Sequence, residues 1–281
     1  GSYAEIPEFA AEKEQYANYK GRLKLAGIKI IGDGSPQGKT AFFTKPYLTG
    51  SPAGEAGWRG EPIVGPEEMD ALLAEIYGAG MRAFVHANAD AQVDILLDAH
   101  KKYASLAGDD SRTVIIHSQF IRRDQLEDYA RYGMVPAFFS NHAYYWGDVH
   151  LENLGRERAF FLSPMNSASE LGIHFTNHSD YMVTPLDPLF TVWTAVNRLS
   201  RSGRVIGPAE RITPLQALKA ITLDGAWQYG EEGRKGSLSP GKLADLVILD
   251  GNPLTIDPTT IKDIEILATY KEGELVYSAP R

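Results

Sequence analysis

The chain has 281 residues, enough for one large domain or a large one with an appendage, and its 43% hydrophobic and 23% charged content suits a packed globular protein and not a disordered one. Twenty-eight Lys and Arg against 36 Asp and Glu leave a net charge of −8, with no basic run, which argues against a nucleic-acid partner. Without cysteine there are no disulfides, thiolate metal sites or cysteine nucleophile, and no apolar run approaches the roughly 20 residues of a membrane span. Gly1-Ser2 reads as a cloning remnant, and residues 1–26 as a lead-in whose 3–20 stretch is amphipathic, as though the chain began in mid-fold. The first apolar run, Gly27-Ile28-Lys29-Ile30-Ile31, ends in Gly32-Asp33-Gly34-Ser35 and precedes a long Gly/Pro-rich connection to about residue 65. A helix is predicted over 66–79, with Pro66 at its start and Gly80 past its end. Strands over 81–86, 113–117 and 134–139 alternate with helices over 91–107 and 122–132. A long aromatic loop over 141–162 and a short helix over 167–171 lead to a strand over 173–178. Helices over 187–201 and 214–229 follow, the second opened by a Thr213/Gln216 capping box. Five strand-then-helix units of this kind predict an α/β fold with a parallel sheet and right-handed crossovers across 27–230. Residues 231–281 change to short alternating runs with turns at Asp250-Gly251-Asn252-Pro253 and Lys271-Glu272-Gly273, a small β appendage.

Ionisable residues gather at comparable places in this scheme. Lys29 interrupts an apolar strand, His86 and His117 each end one, and Asp180 follows the strand carrying His174 and His178. Ends of parallel strands open onto one face, where barrel enzymes place their catalytic groups. Imidazole nitrogen and carboxylate oxygen suit Zn or another divalent cation, which would lower the pKa of a bound water for hydrolysis. Lys29 fits least well, since an ammonium repels a cation and would sooner pair with Asp33 or Asp180. His174, Thr176, His178 and Asp180 have one parity, so an extended backbone aims them to one side, for a site or merely for solvent. His142, Tyr144, Tyr145, Trp146 and Asp148 make an aromatic and polar cluster suited to a substrate wall, or to plugging the mouth of the sheet. His100, beside Lys101 and Lys102, reads as surface.

The ordered segments Ile28-Lys29-Ile30-Ile31-Gly32-Asp33-Gly34-Ser35, Val85-His86-Ala87-Asn88-Ala89-Asp90, Ile116-His117-Ser118-Gln119 and Phe138-Phe139-Ser140-Asn141-His142-Ala143-Tyr144-Tyr145-Trp146-Gly147-Asp148 resemble amidohydrolase family 3. This is the YtcJ-like branch of the metal-dependent amidohydrolase superfamily. His178-Ser179-Asp180 and the tail from Gly236 to Val247 continue the likeness. The resemblance implies a (β/α) TIM-type barrel, here partial at about strands four to eight, with a small C-terminal β-sandwich portion. It further implies one or two metal ions at the barrel mouth and hydrolysis of a C–N bond in a small amide-like substrate. Lys29 would be the strand-four lysine that takes up CO2 as a carbamate, becoming an anionic ligand. His86 and His117 would be the strand-five and strand-six metal ligands. Asp180 would be the strand-eight acid that binds metal and takes the proton of the attacking water. His142, Trp146, Asp148 and His178 would line the substrate pocket.

The family's first strand carries a His-x-His pair, and none of the seven histidines here has a partner two residues away. The sequence therefore reads as the C-terminal half of such an enzyme, with open sheet edges that a homo-oligomer or the remaining segment would cover. A non-catalytic, folded and oligomerising relative is the alternative. A doubly wound nucleotide-binding domain is disfavoured, since no Gly-rich first turn follows a strand. The compartment stays undecided, the cytoplasm being the default expectation.

Overall fold

A computed structural model describes residues 6–108 and 112–280, with the backbone alone for 13–17; Gly1-Ser2 lies outside the described residues. Helix α1 (Ile6–Ala17) comes first, then β1 (Ile28–Ile31), α2 (Pro66–Gly78), β2 (Ala83–Ala89), α3 (Asp90–Ala107), β3 (Val114–Phe120), α4 (Arg123–Tyr132) and β4 (Val135–Phe138). Next come α5 (Asn141–Phe160), α6 (Met165–Glu170), β5 (Thr176–Asn177), α7 (Pro188–Asn197), α8 (Pro214–Ile221) and α9 (Leu223–Gln228). The five strands pair in sequence order, all parallel, as the alternation predicts. A separate antiparallel sheet, β6 (Leu246–Leu249), β7 (Ile266–Lys271) and β8 (Glu274–Ser278), ends the chain and turns at Lys271-Glu272-Gly273 as expected.

The pleat sorts the parallel strands onto two faces. Ile28 and Ile30, Ala83, Val85 and Ala87, Ile115 and Phe138 enter the main core. That core is completed by Met69, Leu72, Leu73 and Ile76 of α2 and by Val93, Leu96 and Leu97 of α3. Phe84, Val114, Val135 and Ala137 fall on the other face and form a smaller apolar layer with Ile116 and Trp227. Lys29 lies exposed on this second face, in register with Phe84. The C-terminal segment is tied to α7: Trp193 Nε1 donates to the Thr259 carbonyl at 2.8 Å and Asn197 Nδ2 to that of Pro258 at 2.9 Å. β8 is exposed along its whole length. No helix among the described residues is long and apolar enough to cross a membrane.

Three sequence expectations are corrected. Residues 141–160 form a helix where an aromatic loop was expected. Its three successive aromatics pack on other rings, Tyr144 on Phe190 and Trp193, and this tertiary burial overrides a composition that reads as irregular. Gly155, at φ 79°, kinks it. The fifth strand shrinks to Thr176–Asn177, because Asn177 spends its side chain on the Ser140 backbone N–H at 3.1 Å and on Ser140 Oγ at 2.8 Å. His100 is buried: its Nδ1 meets the Tyr77 hydroxyl at 2.9 Å, which also bonds Thr113, so α2, α3 and the lead into β3 share one polar knot. The Thr213/Gln216 capping box forms as read, though the helix it opens breaks at Thr222 into α8 and α9.

Candidate active site

His86 sits on the second face of β2, and pleat parity would send His117 of β3 to the opposite side, since Ala87 and not His86 is its register partner. The backbone resolves this. His117 and Ser118 adopt left-handed φ values of 75° and 46°, and the β2–β3 register slips between Ala87 and Ala89. The resulting bend brings His117 Nε2 to 3.2 Å from His86 Nδ1, with the rings edge to face at 4.4 Å. Beyond the end of β5, His178 lies 5.0 Å from the His117 ring and stacks on Phe139 at 4.8 Å. Asp180, half-buried, also has a left-handed φ of 47°. Lys29 of β1 is near enough to His86 of β2, His117 of β3, and His178 and Asp180 beyond β5 for its charge to act on all four.

Burial sets the electrostatics. It pushes His86 down to about 4, with the Lys29 charge adding to the effect and a bond to the Gly34 carbonyl opposing it. Burial likewise brings His178 to about 4, again aided by Lys29. His117 is held well below the usual imidazole range by burial and then by His178 and His86. All three are therefore neutral at pH 7. Burial raises the Asp180 carboxyl, and the Lys29 ammonium partly offsets this.

Three site residues escape a reading of the sequence. Asp33 is fully buried and does not pair with Lys29. Its carboxylate accepts from the backbone N–H groups of Asn88 at 2.9 Å, Phe42 at 3.1 Å and Ala89 at 3.2 Å, and comes within 3.6 Å of His86 Nε2. Burial lifts it to about 7 despite those bonds. Asn88 carries the parity of His86, and its Nδ2 meets His86 Nε2 at 2.9 Å and the Gly34 carbonyl at 2.8 Å. The third is His150, whose Nε2 lies 3.1 Å from His142 Nδ1. Each residue turns a helix by about 100°, so His142, Trp146 and His150 share one face of α5. The spacing of four between them is the signal, legible only once 141–160 is known to be helical.

The same rotation sends Asp148 to the far side of α5. It is not brought to the histidines: Ser202 Oγ donates to its carboxylate at 2.7 Å, and Arg204 stands at 3.9 Å. His174 also stays away, lying beside Asp224 at 3.3 Å and stacking on Trp227. His142 and Trp146 do meet, with ring centroids 4.3 Å apart, and Phe139 links them to His178.

Burial holds His150 at about 3, against 6.5 for a free imidazole. Below pH 6.5 the unfolded chain gains a proton that the native one refuses, so stability falls as pH falls. Between pH 7 and 5 this residue alone removes about 2 kcal/mol. Urea melts at the two pH values should show that difference shrinking by about this amount in His150→Gln.

The residues present fit a cation in part. Two nitrogens bound tetrahedrally at about 2.0–2.1 Å lie about 3.3 Å apart, close to the 3.2 Å between His86 Nδ1 and His117 Nε2. With Nδ1 ligating, His86 Nε2 would carry the proton and donate to the Gly34 carbonyl at 3.4 Å, as a ligating imidazole requires, while the Asn88 amide nitrogen beside it is itself a donor and His117 Nδ1 is sealed without a partner. Among the described residues no three His, Cys, Asp or Glu side chains stand close enough to form a ready-made cluster.

A family model described as "Amidohydrolase family" matches residues 3–277. The putative amidohydrolase YtcJ of Bacillus subtilis is 27% identical over 262 residues, covering 91% of this chain and 47% of its own length. An N-substituted formamide deformylase of Arthrobacter pascens is 26% identical over 211 residues, covering 75% of this chain and 39% of its own. The crystal structure of an uncharacterized metal-dependent hydrolase from Pyrococcus furiosus superposes with a TM-score of 0.73 at 26% identity, over 89% of this chain and 50% of that one. The chain thus spans half or less of the length of each of these proteins.

Proposed function

The chain belongs to the amidohydrolase family, and from that premise we propose that it carries the catalytic side of a metal-dependent hydrolase that cuts a non-peptide C–N bond in a small amide-like molecule. The five strands would be part of a (β/α) TIM-type barrel, and β6–β8 part of a β-sandwich. The observation that carries the reading is the facing pair His86 Nδ1 and His117 Nε2, two neutral imidazoles from adjacent strands at ligand spacing. With Lys29 as a CO2-derived carbamate, and with Asp180, they would hold zinc or another divalent ion. Such a cation, when bound, polarises a carbonyl and acidifies water.

The protein's own part follows from where its groups stand. Asp180, at the open end of the strands and with its carboxyl raised, takes a proton from the attacking water at a carboxylate oxygen and returns it to the departing nitrogen. The water oxygen bonds to the carbonyl carbon as the C–N bond breaks. Phe139, Trp146 and His142 wall one side and exclude solvent, while His178 stacks on Phe139 with its Nε2 unpaired.

Turnover of a panel of N-acyl and N-formyl amines tests this. Hydrolysis is expected to require added Zn, to stop with a chelator and to fall about 10³-fold in Asp180→Asn. Turnover indifferent to chelator, or full rate in Asp180→Asn, would count against it. A folded but non-catalytic relative is the second reading, favoured by the lack of a three-residue ligand cluster among the described residues. It stands if no substrate turns over even at high protein concentration with metal and bicarbonate supplied.

A further inference from the structure

The imidazole nitrogens sealed from solvent without a partner include His117 Nδ1, His150 Nδ1 and His178 Nε2. His142 Nε2 also has no partner among the described residues, yet it is not one of the sealed atoms. This difference decides how protons are arranged in the His142–His150 pair, whose ring planes lie within 4° of parallel and which share the 3.1 Å contact between His142 Nδ1 and His150 Nε2.

Burial keeps both rings neutral, so each carries one N–H. Two arrangements satisfy the contact between them. If His142 Nδ1 donates, His150 must hold its own proton on Nδ1, where nothing receives it. If His150 Nε2 donates, its Nδ1 is a bare lone pair, and an unpaired buried acceptor costs less than an unpaired buried N–H. The second arrangement puts a bare lone pair on His142 Nδ1 and the proton on His142 Nε2, its one nitrogen not engaged by the protein.

We propose that His150 locks His142 as the Nε2–H tautomer, so that His142 meets the substrate as a neutral donor to a carbonyl-type oxygen, with His150 acting as a positioning residue. The substrate half of this proposal rests on the hydrolase reading above; the tautomer half does not. Phe139 at 4.6 Å, Trp146 at 4.3 Å and, against His150, Phe120 at 4.9 Å make the surroundings apolar, which strengthens a single hydrogen bond. A neutral imidazole can donate to a carbonyl and strengthen that bond as the oxygen gains charge during water attack, without burying a cation. The site then selects for an acceptor at this point of the substrate, and disfavours a group that presents only an N–H or ammonium there.

Nitrogen-15 NMR of the whole chain with labelled histidine, at neutral pH, reads the tautomer directly, His142 being assigned by its loss in His142→Asn. The expected result is a protonated Nε2 and a bare Nδ1; a proton on Nδ1 of the unsubstituted protein overturns the proposal. His150→Gln, whose amide still offers an N–H, keeps the Nε2–H form, whereas His150→Met, whose sulfur can only accept, moves His142 toward Nδ1–H. The latter also lowers kcat at least tenfold, with KM changed less and metal content unchanged. A His142 tautomer indifferent to His150→Met would show His150 to be merely structural and overturn its positioning role. The NMR result needs neither metal nor turnover, so an inactive chain would defeat the hydrolase reading while leaving the tautomer test decisive.

Discussion

Replacing His86 and His117 together with asparagine is expected to empty the proposed metal centre: metal in freshly purified protein should fall from near one ion per chain to below about a tenth, as Zn affinity drops on the order of 10³-fold or more. The two imidazoles are the nitrogen donors that stand at ligand spacing, and they come from different strands, so neither can substitute for the other. Remaining donors would be a carbamate on exposed Lys29 and half-buried Asp180, both anionic oxygens able to hold a hard cation only loosely once the nitrogens are gone. Thermal stability of the metal-free protein should change little, because both rings are neutral and their main mutual tie is one hydrogen bond. Elemental analysis alongside melting curves checks both halves. Near-stoichiometric zinc surviving in the double variant would remove the basis for the proposed centre.

Arg198→Met, by contrast, should destabilise the fold by about 4 kcal/mol, lowering Tm by about 10 °C. Arg198 is fully buried, and its guanidinium donates to the carbonyls of Ile206 at 2.6 Å, Leu162 at 2.5 Å and Ser163 at 3.3 Å. Burial drops it to about 10, with the Glu210 carboxylate opposing, and Glu210 in turn takes the Ser167 N–H and hydroxyl. Methionine fills similar space but leaves three buried carbonyls without their donor and the Glu210 carboxylate without that positive charge nearby. The damage is transmitted toward the active site, since the Ser163 N–H holds the Gln119 carbonyl near the end of β3 at 2.8 Å. Denaturant melts measure the loss; a change under about 1 kcal/mol would mean that the guanidinium is dispensable.

Strands β1 to β4 were legible because each is built on a short, mostly apolar run bounded by glycine or polar residues, and burial on both faces of a parallel sheet demands such a run. β5 was read too long because its ladder with β4 is confined to Thr176 and Asn177, whose polar side chains bond to Gln228 and Ser140. Within the site, Lys29, His86 and His117 could be picked out as charge or imidazole intruding on apolar strands. Asp33 could not, since nothing in Gly32-Asp33-Gly34 tells a solvated turn from a buried carboxylate gathering three N–H groups. Asp148 was placed in the pocket, and His150 left out of it, for one reason: residues 141–160 were read as a loop, and rotation about a helix axis is what separates the two. His100 was misjudged by its lysine neighbours, although the rotation of about 100° per residue suffices to bury it against Tyr77 while Lys101 and Lys102 stay exposed.

The left-handed backbone at His117 and Asp180 bears on which of the two functional readings describes the chain. For a residue with a side chain such a conformation costs on the order of 1–3 kcal/mol, while glycine adopts it freely. A sequence drifting without a task would gain robustness by accepting glycine at either corner. Histidine and aspartate at these positions represent a trade of thermal resilience for aim, which is what the hydrolase reading asks of these two residues.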